Sequence, residues 1–346
     1  MTRANSLPRV AVAALGGTIA MSNSAEQGLV PTLTAENLLR AVPGAGQLAS
    51  VHAESLAGLP SASLQLSDLL RVLAWAHQRA DEGYHAIIIT QGTDTLEDSA
   101  FFFELCWSRS IPVIFTAAMR GATAVSADGP ANLLSALLTA TSPVLLNQST
   151  VLVLLNDTLH SPRFVTKSHT LALDTFSSLP RGPVGAMIEG QPVFFHGIPK
   201  RAAVPASVRW SALALPNALP EVAIVATWPG DDGRFLQALT DHGYVALVVQ
   251  GMGAGHVSAA FAQALEPVAA RLPVVVSTRV PFGPTTQSTY AYPGSEKHLQ
   301  ELGAVMAGWL SPHKARLALA CLHAAGMRGR PLLQQLEALG RFPGGA

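Results

Sequence analysis

The sequence predicts an α/β protein: a larger N-terminal domain with a mainly parallel, helix-flanked sheet plus a β-hairpin, and a smaller C-terminal α/β domain. Three observations carry this. The chain has 346 residues, beyond the ~250–300 at which a single hydrophobic core stops growing. Short apolar runs without polar alternation, as expected of strands covered on both faces, alternate with segments of helical periodicity. That rhythm lapses after residue 160 and resumes near residue 222. The boundaries that follow are 1–198 for the N-terminal domain, 199–221 for a proline-containing linker and 222–346 for the C-terminal domain.

Each element has its own reason. Residues 9–15 (RVAVAAL) form a first apolar strand, and Gly16-Gly17-Thr18 turns at its end. Residues 21–30 are polar and read as a loop, suited to a lid. A capping pattern at Thr34 starts a short helix, 60–63 is a turn, and 66–79 repeats apolar residues at helical spacing. Ile87-Ile88-Ile89 is a buried strand that stops in Gln91-Gly92-Thr93-Asp94, with Thr95 and Asp98 suiting a helix start. Residues 96–107 follow as a helix whose Phe101-Phe102-Phe103 run implies burial on more than one face. Residues 112–118 and 151–155 are further strands, and the stretch 125–133 between them starts a helix running to residue 140. Short strands near 185–188 and 193–195 make the antiparallel hairpin. Beyond the linker, strands at 222–227, 245–250 and 273–278 alternate with helices near 232–242, 257–270, 296–308 and 312–325.

Composition excludes several classes. Lysine plus arginine and aspartate plus glutamate both total 22, so no electrostatic grip on nucleic acid or an anionic membrane is expected. No apolar run is long enough to span a bilayer, and a cytoplasmic protein is the simplest expectation. Cys106 and Cys321 fall in separate apolar helical patterns and read as buried free thiols. The histidines lack metal-site spacing, so no metal is expected. Neither G-x-G-x-x-G nor a P-loop is present, and no cofactor is expected. The apolar composition, 49% hydrophobic against 13% charged, suits buried subunit interfaces.

Candidate chemistry concentrates at strand ends and turns: Thr18, Thr93 with Asp94, and Lys167. A threonine hydroxyl is a poor nucleophile until a base removes its proton, and a lysine serves as that base if its surroundings lower its pKa from the usual ~10.4. Asp94 could orient the lysine or bind a substrate ammonium. Taken singly, Thr18 also reads as a turn hydroxyl, Asp94 as a helix-capping acid and Lys167 as a surface charge. His256, in the glycine-rich turn Gly251-Met252-Gly253-Ala254-Gly255, is a further candidate for lining a site.

Set in order, these residues resemble the bacterial-type L-asparaginases, threonine-dependent amidohydrolases. Leu15-Gly16-Gly17-Thr18-Ile19-Ala20 is similar to the first signature and Thr90-Gln91-Gly92-Thr93-Asp94-Thr95-Leu96-Glu97 to the second. Ala118-Met119-Arg120, Ser126-Ala127-Asp128-Gly129-Pro130, Asn156-Asp157-Thr158, Val165-Thr166-Lys167, Arg279-Val280-Pro281 and Lys314-Ala315-Arg316 follow in the family's order and spacing. The resemblance implies Thr18 as nucleophile, with Thr93, Asp94 and Lys167 as its supporting triad. It implies substrate contacts at Ser61, Ala62, Gly92, Ala118 and Met119, and active sites at a dimer interface within a homodimer or homotetramer. The implied reaction is hydrolysis of L-asparagine to L-aspartate and ammonia through an acyl-enzyme. The alternatives are another ω-amide (glutamine, D-asparagine or a non-amino-acid amide) or an amino-acid-binding protein without turnover.

The departures concern the substrate's head group. The family's lid tyrosine has no counterpart between Met21 and Thr34, and the glutamine expected after Ser61 is Ala62. The acid usually offered to the substrate ammonium falls at Tyr290, and an asparagine of the glycine-rich turn falls at His256. Each lost charge-assisted hydrogen bond costs about 1.5–3 kcal/mol, so low affinity or a changed substrate is expected. Tyr290 is the candidate to supply the hydroxyl missing from the lid.

Overall fold

The apolar runs become strands where helices cover both faces. A computed structural model describes residues 7–24, 28–31, 33–199, 201–210 and 215–342. The chain divides into two compact units, Met1–Arg201 with Trp210–Leu215, and Ala202–Arg209 with Pro216–Ala346.

In the N-terminal unit, β1 (Arg9–Gly16) is buried from its second residue onward. Next, β2 (Met21–Ser24) and β3 (Gly28–Pro31) pair antiparallel, Met21 opposite Pro31. The loop expected over 21–30 is therefore corrected to a hairpin, with residues 25–27 outside the described set. Its ladder bonds backbone groups, which a polar composition does not reveal. Then come α1 (Ala35–Arg40), capped by the Thr34 hydroxyl, α2 (Ala45–Leu48) and β4 (Ser50–Leu59). The sequence reading left β4 unassigned. It is a half-exposed strand that, among the described residues, pairs only with β1 and carries His52 and Glu54, so no clean apolar run marks it.

The next elements are α3 (Leu66–Asp81), β5 (Ala86–Thr90), α4 (Leu96–Cys106), β6 (Val113–Thr116), α5 (Gly129–Ala140) and β7 (Val151–Leu155). After them lie β8 (Thr158–His160), β9 (Thr166–Lys167), β10 (Phe176–Ser177), β11 (Gly185–Ile188) and β12 (Gln191–Phe194). Eight strands form one sheet in the order β12-β11-β8-β7-β6-β5-β1-β4. Neighbours from β4 to β7 are parallel, whereas β8, β11 and β12 pair antiparallel. On one face Val12, Ile88, Ile114 and Leu152 share a buried cluster with Leu133 and Leu137 of α5. On the other, Phe103 of α4 meets Phe115 edge-on at 5.2 Å. Phe101, Phe102 and Phe103 are all buried, and Cys106 is a buried free thiol.

The strand order locates a crevice. From β1 the chain runs to β4 on one side, while from β5 it runs to β6 on the other. The carboxyl ends of β1 and β5 therefore flank a topological switch point, where ligands of open α/β sheets bind.

In the C-terminal unit, β13 (Val222–Ala226), β14 (Ala246–Gly251), β15 (Val274–Thr278) and β16 (Val305–Met306) form a parallel sheet in that order. Helices α6 (Leu236–Asp241), α7 (Ala259–Ala269), α8 (Glu296–Glu301), α9 (Pro312–Ala324) and α10 (Gly329–Gly340) complete it. Two expected helices are shorter. The one over 232–242 starts at Leu236, because Asp231 first accepts the Gly233 N–H in a turn. The one over 296–308 stops at Glu301, ahead of Gly303 (φ +92°), and β16 takes up the chain. α10 was not anticipated, although Leu332, Leu336 and Leu339 bury one helical face. Of the expected linker, residues 200 and 211–214 lie outside the described set; Ala206–Val208 is a short 3-10 turn.

Candidate functional site

The site begins where β1 ends. Gly16 and Gly17 both have positive φ, and a Cβ on Gly17 would lie 2.1 Å from the Gly92 nitrogen. Only glycine allows that backbone-to-backbone approach. It joins the two strand ends: Thr18 follows Gly17 as the first residue of a 3-10 turn, and Gly92 precedes the 3-10 turn Thr93–Thr95.

Ser61 ties in a third segment, the 3-10 turn Ser61–Ser63 between β4 and α3. Its hydroxyl accepts the Asp94 N–H at 3.2 Å, and its carbonyl accepts the Thr95 hydroxyl at 3.0 Å. The helix start expected at Thr95 and Asp98 is present, with α4 beginning at Leu96 after Thr95, but the Thr95 side chain donates to this carbonyl and makes no capping bond. Ala62 is the exposed next residue of the turn. Gln91 is buried behind Gly92, its side-chain amide 3.4 Å from the Gly92 carbonyl and from the Thr95 hydroxyl.

Lys167 arrives from β9. Its Nζ donates to Thr93 Oγ1 at 2.9 Å and to Asp94 Oδ1 at 2.6 Å. The lysine side chain is 18% exposed and that of Asp94 62%. The surface-charge reading of Lys167 is thereby corrected: its ammonium is directed at a hydroxyl and a carboxylate. Thr93 and Asp94 sit one turn before Glu97 of α4, which accepts the Lys167 backbone N–H at 2.5 Å and the Thr166 hydroxyl at 3.3 Å.

Ala118 and Met119 follow β6, the neighbour of β5. Ala118 is buried against the start of α5 near Ile19. The Asp128 carboxylate accepts the N–H groups of Met119 and Arg120 at 2.9 and 2.8 Å, and Asn132 bonds Asp128 and the Ala117 carbonyl. Asp128 thus fixes this turn, a role the sequence reading did not assign.

His256 and Tyr290 belong to the C-terminal unit and form a separate cluster there. The His256 ring lies 5.0 Å from that of Tyr290 and 5.6 Å from that of Tyr292, edge-on to each. His256 Nε2 is 3.2 Å from Glu296 Oε2, and the Tyr292 hydroxyl is 2.9 Å from His256 Nδ1. Glu296 is fully buried, and its other oxygen accepts the N–H groups of Thr289 and Tyr290 at 2.6 and 2.7 Å. Burial pushes the Glu296 carboxyl up, but the N–H groups of Tyr290 and Thr289 and the His256 ring outweigh it and hold it below the usual carboxylate value. Burial, then the Glu296 charge, pushes the Tyr292 phenol up. An ionised Glu296 only accepts, so Nε2 carries a proton; in the neutral ring, Nδ1 then accepts the Tyr292 O–H. The hydroxyl tied into the cluster is that of Tyr292, while Tyr290 contributes its ring and its backbone N–H. Tyr292 and Glu296 escaped the sequence reading because they lie 36 and 40 residues from His256.

Among the described residues, no group of three or more His, Cys, Asp or Glu side chains is arranged to hold a metal ion. No helix there is long and apolar enough to cross a membrane.

A threonine, a lysine and carboxylates gathered at the switch point of a parallel sheet define an α/β protein with the parts for acyl-transfer chemistry. Residues 9–200 match the family model described as "Asparaginase, N-terminal", and residues 221–335 match "Glutaminase/Asparaginase C-terminal domain". The chain belongs to the asparaginase family. It is 34% identical to "L-asparaginase 2" of Escherichia coli over 317 residues, covering 90% of this chain and 88% of that protein. It is 33% identical to "Probable L-asparaginase periplasmic" of Haemophilus influenzae, with 92% and 89% covered. The crystal structure of a "Probable Cytoplasmic L-asparaginase" from Campylobacter jejuni superposes with a TM-score of 0.83 at 30% identity, covering 97% of this chain and all of that one.

Proposed function

We propose that this protein is an amidohydrolase that converts L-asparagine and water to L-aspartate and ammonia. The observation that carries the reading is the pair of bonds from Lys167 Nζ to Thr93 Oγ1 and Asp94 Oδ1, in a chain of the asparaginase family. Thr18 Oγ1 attacks the side-chain amide carbon, the C–N bond breaks, and ammonia leaves with the hydroxyl proton. Water then attacks the Thr18 ester, one of its protons passes by way of Thr93 and Lys167 to the departing Thr18 oxygen, and aspartate leaves with Thr18 and Lys167 both restored. Backbone N–H groups that include that of Thr93 stabilise the oxyanion. Asp94 holds the Lys167 ammonium and the substrate's α-amino group, and Ser61 its α-carboxylate. Gly92, Ala118 and Met119 line the reacting end.

Ala62 and the His256–Tyr290 pair support a second reading, in which the favoured substrate is another ω-amide. The family's glutamine and acid are absent at these positions, which weakens the grip on a free amino-acid head. We attach to either reading a homodimer or homotetramer with sites at the dimer interface, and residence in the cytoplasm, as for the "Probable Cytoplasmic L-asparaginase" of Campylobacter jejuni.

The test is ammonia release from L- and D-asparagine, glutamine and simple ω-amides, run beside Thr18→Ala and Thr93→Val. Release from L-asparagine that both substitutions abolish is expected. No ammonia from any amide defeats the enzyme reading, and full activity in both variants defeats the threonine mechanism.

A further inference from the structure

Lys167 is a long, flexible side chain on a very short support. Its strand, β9, pairs with β10 through two residue pairs alone, Lys167 opposite Phe176 and Thr166 opposite Ser177, outside the eight-stranded sheet. A four-carbon stem rooted on so small a ladder does not by itself hold an ammonium to within hydrogen-bond distance of a chosen oxygen.

The root is fastened elsewhere. Glu97 Oε2 accepts the Lys167 backbone N–H, and Glu97 Oε1 accepts the Thr166 hydroxyl. Both carboxylate oxygens are thus occupied by β9, which fixes the orientation of Glu97 as well as the position of the strand. Glu97 lies four residues after Thr93 and three after Asp94, in the first turn of α4 directly after the 3-10 turn that holds the other two. This one continuous segment grips Lys167 at both ends, Glu97 at the peptide and Thr93 with Asp94 at the ammonium.

We propose that Glu97 is a positioning residue for Lys167: by binding its backbone N–H it sets where the ammonium falls relative to Thr93 and Asp94. The functional consequence rests on the amidohydrolase reading, while the clamp itself does not. A shift of about 1 Å in a reacting group is worth on the order of 100-fold in rate, so losing the clamp acts on turnover more than on substrate affinity.

The test compares Glu97→Ala, Glu97→Gln and Thr166→Val in the full chain. In Glu97→Ala, exchange of the Lys167 amide hydrogen accelerates by about tenfold or more. The 13Cε resonance of Lys167, assigned with Lys167→Arg in protein labelled at lysine, moves. On L-asparagine, or on whichever amide the wild type cleaves, kcat falls by roughly 100-fold with KM within about threefold. Glu97→Gln, which keeps one acceptor oxygen and the side-chain shape, lies between wild type and alanine and serves if the alanine variant does not fold. Thr166→Val loses only the longer bond and stays within about threefold in kcat. Unchanged Lys167 exchange and resonance in Glu97→Gln and Glu97→Ala overturn the clamp, as does unchanged kcat in an active enzyme. If the wild type cleaves no amide, the functional reading fails alone, because exchange and resonance still decide the clamp.

Discussion

Both units end a buried parallel strand in a glycine-containing turn, yet the turns gather different groups. In the N-terminal unit the turns after β1 and β5 touch backbone to backbone, and hydroxyls, a carboxylate and an ammonium gather around that contact. In the C-terminal unit the turn after β14 delivers a histidine whose two nitrogens are taken by a buried carboxylate and a phenol. The first arrangement brings Lys167 onto Thr93 and Asp94, the groups to which the proposed function gives the chemistry. The second packs two tyrosine rings against the imidazole, with the buried Glu296 carboxylate bonded to its Nε2. On the proposed function, the contrast teaches that the reacting groups and part of the head-group grip, Asp94 and Ser61, share one unit, while His256 and Tyr290 of the other unit can vary without touching them.

The largest effects belong to the reacting half. Thr18→Ala lowers turnover by about 1,000-fold or more, roughly 4 kcal/mol of barrier, with the thermal midpoint little changed. Steady-state ammonia release beside a melting curve checks it, and activity within tenfold of wild type breaks the assignment of chemistry to this unit. Gly17→Ala separates the two glycine turns. Its Cβ would enter the Gly92 backbone at a φ of +79°, so a loss of about 3 kcal/mol or more and loss of turnover are expected. At Gly253, in the turn after β14, a Cβ meets nothing within 4 Å at a φ of +51°, and alanine there costs only about 1 kcal/mol. Equal costs in denaturant titrations would erase the difference between a turn that carries a contact and one that merely reverses the chain.

Acid sharpens the comparison next. In the N-terminal unit His77 stacks on Trp107 at 4.9 Å, and burial, then the Arg109 charge, pushes its pKa down to about 4. Burial likewise takes His160 to about 4. For a histidine of lowered pKa the unfolded chain binds the proton first. The stabilisation is therefore complete above the unfolded value near 6.5 and is lost as pH falls toward 4, by up to about 3 kcal/mol for each residue. The denaturant midpoint should be flat above pH ~6.5 and fall below it. His77→Phe, which keeps an aromatic ring against Trp107, should remove part of that slope, and a midpoint that does not move between pH 7 and 5 contradicts it.

How much of this was legible in the sequence follows from how local each signal is. Ile87-Ile88-Ile89 is buried on both faces and has no polar alternation, so β5 was readable, and with it the turn through Asp94. β4 was not, because a half-exposed edge strand needs no apolar run; its Glu54 instead accepts the Trp75 indole N–H at 2.7 Å. The hairpin over 21–31 was hidden for a related reason, since backbone pairing leaves no mark on composition. Family order pointed to Thr18, Thr93, Asp94 and Lys167 as a set. The part played by Glu97 came only with the fold, as 70 residues separate it from the N–H it binds. Tyr292 was not legible because its hydroxyl meets His256 Nδ1 only through the fold, 36 residues away in the chain.

That last substitution gives the smallest and most discriminating prediction. Tyr292→Phe removes the O–H that His256 Nδ1 accepts, while leaving the ring that packs on the imidazole. The His256 side chain is 17% exposed, so water can take up the freed acceptor and the net loss is about 1 kcal/mol, roughly fivefold. It should appear in KM, with kcat held, if the cluster serves substrate recognition as the second reading of the proposed function has it. Tyr290→Phe retains both the ring contact and the backbone N–H to Glu296, so its KM should stay within about twofold. The opposite order, a large effect at Tyr290 and none at Tyr292, would return the missing lid hydroxyl to Tyr290. An effect of either on kcat alone would mean that the C-terminal cluster takes part in the chemistry, and the separation between the two units would fall with it.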